Sequence, residues 1–173
     1  SGADISIAVQ PVAREDAPAL GILKLDENNM IVEFEEKPQE VELLDALPET
    51  EENRQRRISL LVNQGIVIML LFKSSEYYKF LTRYEPMASN LGNPELLGAF
   101  YARLGHCEFS FGNYDQAIRT FGKATELCHA TGNVEDAAYA YTFWEMSHLD
   151  RGDFERVLAL KDDVLRTVEP MMV

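Results

Sequence analysis

Apolar and polar residues keep two different rhythms along this chain. Near the start they alternate. In residues 4–12, Ile5, Ile7 and Val9 are separated by Ser6 and Ala8, the period of a strand with one face buried. Residues 21–26, with Ile22, Leu23 and Leu25, predict a second strand, and residues 30–36, with Ile31, Val32 and Phe34, a third. Glu27-Asn28-Asn29 joins them as a turn, because Asn tolerates positive φ. Pro38 ends the third strand, since it has no N–H to give to a ladder. From residue 41 the apolar spacing lengthens to three and four. Leu43, Leu44 and Leu47 form one face of a short helical run that Pro48 interrupts. Glu49-Thr50-Glu51-Glu52-Asn53 is an acidic helix start, favoured by the helix dipole.

The second half is metered by four glycine–Asx pairs: Gly92-Asn93, Gly112-Asn113, Gly132-Asn133 and Gly152-Asp153. Each lies 20 residues after the one before (112 − 92, 132 − 112, 152 − 132). Glycine ends a helix by taking the left-handed conformation without a Cβ clash, and Asn or Asp starts the next by accepting from an orphan N–H. The spacing predicts helices over 53–71, 75–90, 94–111, 114–131, 134–151 and 154–168. Pro94 suits a first turn, and Pro170 falls where a helix has stopped. Gly98 and Gly122, inside helices, are expected at close helix contacts, since each costs about 1 kcal/mol relative to Ala. The expected fold is mostly α: a solenoid of about three α-hairpins over 41–173, preceded over 1–40 by a small three-stranded antiparallel β segment.

One hairpin carries a packing signature: Tyr101, Leu104, Gly105 and Glu108, then Ala117 and Phe121. Forty residues earlier stand Leu61, Gln64, Gly65, Ile68, Tyr77 and Leu81; forty later, Tyr141, Trp144, Glu145, His148, Val157 and Lys161. The middle unit resembles the tetratricopeptide pattern, in which a small residue lets two helices approach and large ones fill the space around it. With Leu43-Leu44-Asp45-Ala46-Leu47-Pro48-Glu49-Thr50, Tyr84-Glu85-Pro86 and Tyr101-Ala102-Arg103-Leu104-Gly105-His106, the region is similar to the long-helix tetratricopeptide arrays attached to bacterial signalling ATPases and nucleotide cyclases. That resemblance implies a regulatory, non-catalytic module that binds a protein segment. Its concave groove would be lined by Val62, Ile66 and Met69 of the first helix, Ala102, His106 and Phe109 of the third, and Thr142, Met146 and Leu149 of the fifth. Chaperone-binding arrays clamp a carboxylate with Lys and Asn where Val62 and Ile66 stand here, so an apolar helix or extended peptide is the expected occupant.

The first 40 residues carry a different likeness. Gly2-Ala3-Asp4-Ile5, Val9-Gln10-Pro11-Val12, Gly21-Ile22-Leu23-Lys24-Leu25-Asp26 and Glu33-Phe34-Glu35-Glu36-Lys37-Pro38 resemble an internal segment of sugar-1-phosphate nucleotidyltransferases, glucose-1-phosphate adenylyltransferases above all. The resemblance implies that Glu36 contacts sugar hydroxyls and Lys37 the sugar phosphate. Nothing in the sequence matches that family's Gly-rich nucleotide loop or its magnesium-binding aspartates, which phosphoryl chemistry needs for charge stabilisation. The alternative to an interaction module is therefore a piece of such an enzyme, or a chimeric fusion without selected function.

Charge narrows the partners. Sixteen basic and 29 acidic residues leave a net charge of −13, which disfavours nucleic acid and anionic membrane and suits an apolar or basic protein segment. No apolar run approaches the roughly 20 residues of a membrane span, and the start lacks a signal-peptide pattern. Cys107 and Cys128 are too few for a disulfide framework, and a reducing cytoplasm is the default. His106, His129 and His148 have no zinc-type partner spacing. No catalytic residue, metal site or cofactor is expected. The β segment, marginal alone, is expected to cap the first helices or to pair its edge with a second copy as a homodimer.

Overall fold

A computed structural model describes residues 22–25, 31–35, 49–70 and 74–168; for 22–25, 31–35, 66–70 and 168 the description is of the backbone. The chain divides into two units, Ser1–Pro48 and Glu49–Val173.

In the first unit, β1 (Ile22–Leu25) and β2 (Ile31–Glu35) pair antiparallel. Leu23 stands opposite Phe34 and Lys24 opposite Glu33, but Leu25 opposite Ile31, so the register shifts between Lys24 and Leu25. These are the second and third of the predicted strands. The first, over residues 4–12, lies outside the described residues.

The second unit is helical: α1 (Glu51–Leu70), α2 (Ser74–Ser89), α3 (Pro94–Ser110), α4 (Tyr114–Thr131), α5 (Val134–Asp150) and α6 (Phe154–Val168). Each helix packs on its successor. In addition α1 packs on α3, and α3 on α5. The first helix of each hairpin thus stands beside the first helix of the next, forming a continuous row.

The helix ends are set as the glycine rhythm predicts. Gly92, Gly112, Gly132 and Gly152 all have positive φ, between 64° and 75°. After α3, α4 and α5 the same double turn recurs: the glycine N–H bonds three residues back, and the next N–H five back (Asn113 to Glu108, Asn133 to Cys128, Asp153 to His148, each 2.9 Å). The starts are less uniform. Asn93 and Asn133 accept from the N–H groups of Leu96 and Asp136, each at 3.1 Å. Asn113, with a ψ of 53° against 91° at Asn93, makes no such bond. Asp153 instead sits with Oδ2 3.3 Å from His148 Nδ1. Upstream, Thr50 Oγ1 accepts from Asn53 N–H at 3.2 Å and opens α1 ahead of Glu51 and Glu52.

The core lies between the helices of each hairpin. A Cβ added to Gly105 would stand 2.7 Å from the Phe121 ring, and one on Gly65 2.3 Å from Tyr77 Oη. Both aromatics are fully buried, and Tyr77 Oη donates to Leu61 O at 2.7 Å. The two hairpins solve one packing problem in opposite ways. In the first the bulky residue is Tyr77 and Leu81 follows it; in the second Ala117 is small and Phe121 is bulky. Gly98 also meets its expectation, with Cys128 Sγ 2.9 Å from its would-be Cβ. Gly122 does not: its nearest neighbour, Trp144, is 3.9 Å away, an ordinary contact.

Candidate functional site

The row of first helices brings four aromatic rings together between α3 and α5. The spacing of three and four places His106 and Phe109 on the side of α3 that meets α5. Tyr139 and Phe143 answer from α5. The His106 and Phe143 rings stack with centroids 3.6 Å apart and planes 21° apart. Phe109 lies 5.7 Å from Phe143 and 6.5 Å from His106. Tyr139 lies 5.2 Å from Phe143, and its hydroxyl is hydrogen-bonded to His106 Nδ1.

Arg103, one turn before His106, completes the cluster. Its guanidinium lies 4.1 Å from the centre of the Tyr139 ring, and Nη2 pairs with Asp136 Oδ1 at 2.9 Å. Only 12% of the Arg103 and 15% of the Asp136 side chain is exposed. Asp136 is itself held by Asn133 Nδ2 at 3.0 Å, so the helix cap also orients the ion pair. Arg103 Nε and Nη1 are buried without a hydrogen-bond partner; the Tyr139 π face supplies part of their compensation.

Burial sets the protonation here. It is the main cause, with Arg103 second, that holds His106 down to about 4, so the imidazole is neutral at pH 7. Burial lifts Tyr139 to about 12, against a lowering by Arg103. The Cys107 and Cys128 thiols are each pushed up to about 12, again chiefly by burial, and stay protonated at pH 7. Among the described residues no group of three or more His, Cys, Asp or Glu could hold a metal ion, and no helix is long and apolar enough to cross a membrane. The cluster brings together rings, a neutral imidazole and a neutralised ion pair.

The groove residues expected from the sequence scatter over three environments. Val62 and Ala102 are buried, at 5% and 0% exposure, and belong to the core. His106 and Phe109 are half-buried in the ring cluster, and Thr142, Met146 and Leu149 are exposed. Ile66 and Met69 lie on α1, where the side chains are outside the described residues, as are Glu36 and Lys37. Sequence reasoning missed Arg103, Asp136, Tyr139 and Phe143. A signal was present. Asp136, Tyr139 and Phe143 recur at three and four on α5, and Arg103 precedes His106 by three.

No protein-family model matches the chain. It is similar to the chloroplastic/amyloplastic small subunit of glucose-1-phosphate adenylyltransferase from Triticum aestivum, at 28% identity over 102 residues. The match covers 56% of this chain and 21% of that protein, so the chain spans about a fifth of the length of its relative. Since 56% of 173 residues is about 97, the match does not fit within residues 1–40 and extends into the region of the helices.

Proposed function

We propose that residues 49–168 form a tetratricopeptide-type array acting as a non-catalytic protein-interaction module. The carrying observation is the ring cluster of α3 and α5, continued toward solvent on α5 by Met146 and Leu149, 41% and 45% exposed. Stacked rings supply rigid contact area at low entropic cost, and Met adapts to varied partners. The 40-residue repeat and the row of first helices support the same reading. The partner is a protein segment with apolar anchors and, against a net charge of −13, basic flanks. A displayed peptide library tests this. Selected binders are expected to carry apolar anchors at helical or strand spacing and to lose binding to the Met146→Glu/Leu149→Glu variant. Binders that hold the variant as tightly as the parent chain overturn it.

The similarity to the wheat adenylyltransferase subunit supports a second reading, in which the first unit is part of a nucleotidyltransferase-like fold that binds a sugar phosphate through Glu36 and Lys37. Calorimetry with millimolar glucose-1-phosphate discriminates. A heat of binding lost in Lys37→Ala favours this reading, and an absent heat removes it. Gel filtration with light scattering tests pairing through the β edge: a strict monomer at high concentration rules out a homodimer.

A further inference from the structure

One buried carboxyl has no part in the ring cluster. Glu108, in the last turn of α3, shares a face with Leu104 and Gly105. The residue is 3% exposed. From α4, the buried Thr120 hydroxyl and the Gln116 side chain bond its carboxyl. Gln116 Oε1 accepts from Arg119 Nη2 at 2.6 Å, which leaves the amide nitrogen for Glu108. Glu108 Oε2 is buried and has no hydrogen-bond partner among the described residues. An ionised carboxylate with one bare buried oxygen is costly, whereas the protonated carboxyl is neutral. Burial raises this group above the ordinary 4.5, the Thr120 and Gln116 bonds lower it, Glu85 of α2 raises it and Arg119 of α4 lowers it; burial prevails. The sides of α3 toward α1 and α5 are taken by Arg103, next to Gly65 and paired with Asp136.

The next hairpin fills the same slot differently. Forty residues on stands His148, whose Nδ1 lies 3.3 Å from the Asp153 carboxylate across the α5–α6 turn. At the matching place after Glu108 stands Asn113, which has no charge to offer. Its N–H bonds the Glu108 carbonyl at 2.9 Å and closes the α3–α4 turn. The titrating side chain and the carbonyl that closes the turn thus belong to one residue.

We propose that Glu108 is a proton-operated latch: its protonated carboxyl packs within the α3–α4 hairpin, and loss of that proton loosens the last turn of α3. Phe109 stands in the same turn, so the loosening reaches the ring cluster. The folded value lies above the unfolded one, so this stabilisation is fully present below about pH 4.5 and is lost as pH rises through the folded value. His106, held below its ordinary value, acts in the opposite sense.

Amide hydrogen exchange of the whole chain tests the latch, read as protection after correction for intrinsic rates. The quantity is the protection in Glu108→Gln divided by that in the parent chain, a ratio in which the shared contribution of His106 cancels. At the Asn113 N–H it is expected to rise severalfold from about pH 4 to about pH 7. At the Asp153 N–H, the matching bond of the next turn, it is expected to stay flat. A flat ratio at Asn113, or an equal rise at Asp153, overturns the proposal. A second measurement needs no variant. Carbon NMR of the side-chain carboxyl in the parent chain is expected to place the Glu108 midpoint above 4.5, and a midpoint at or below that value overturns the proposal as well.

Discussion

The hairpin α3–α4 and the hairpin α5–α6 end up unlike each other. In α3–α4 a glycine faces a ring at contact distance, Gly105 against Phe121, and a second close approach joins Gly98 to Cys128. In α5–α6 the position of Gly105 is held by Glu145, half-buried, and that of Phe121 by Lys161, exposed. Without a small residue opposite a large one, the helices of the last hairpin do not interlock in that way, and α6 leaves Phe154, Leu158 and Leu165 in solvent. Both close approaches, at Gly105 and at Gly98, lie in the hairpin that has described neighbours on both sides.

Phe121→Ala should break this contrast most severely. Removing a fully buried ring is expected to cost about 3–5 kcal/mol, whereas Leu158→Ala, on an exposed side chain, should stay within about 0.5 kcal/mol. Urea denaturation measures both, and equal losses would erase the distinction between the hairpins. Next is Gly105→Ala. Overpacking against Phe121 costs about 1–3 kcal/mol, offset by about 1 kcal/mol of better helix propensity, so the net effect is a loss. Glu145→Ala, at the matching position, should be near neutral.

A smaller effect follows from His106. Its folded-state value of about 4 lies below the ordinary 6.5, so the unfolded chain binds more protons between those values. Its contribution is fully present above about pH 6.5 and is lost as pH falls toward 4. Between pH 7 and 5 the loss is about 1 kcal/mol after allowance for residual solvent. The pH slope of the denaturation midpoint should flatten in His106→Phe; identical slopes would show that burial does not hold this imidazole neutral. Smallest, and opposite in sign, is Gly122→Ala. With nothing nearer than 3.9 Å, the added methyl should stabilise by about 0.5–1 kcal/mol. A loss there would reveal a close contact that the geometry denies.

Much of the helical unit was legible in the chain. The Gly-Asx pairs placed the ends of α3, α4 and α5 within one residue, because a left-handed glycine is a local conformational requirement that needs no tertiary partner. The residues expected to line a groove fall in different environments. His106 and Phe109 lie in the ring cluster, but Val62 and Ala102 are core, because on a helix touched from several sides the periodic apolar positions do not reveal which neighbour covers them. Arg103 and Asp136 escaped notice for a related reason: two charges on different helices become one neutral pair only when α3 and α5 meet.

The sequence by itself determined where the helices begin and stop, and that they fold back in hairpins. Those outcomes depend on φ preferences and apolar spacing within some twenty residues. Only the tertiary structure decided which glycine is a contact and which is idle, which histidine is buried in rings, and which apolar stripe stays open. Each of those depends on the volume and charge that a different helix brings to the spot, and spacing along one chain does not encode that distance.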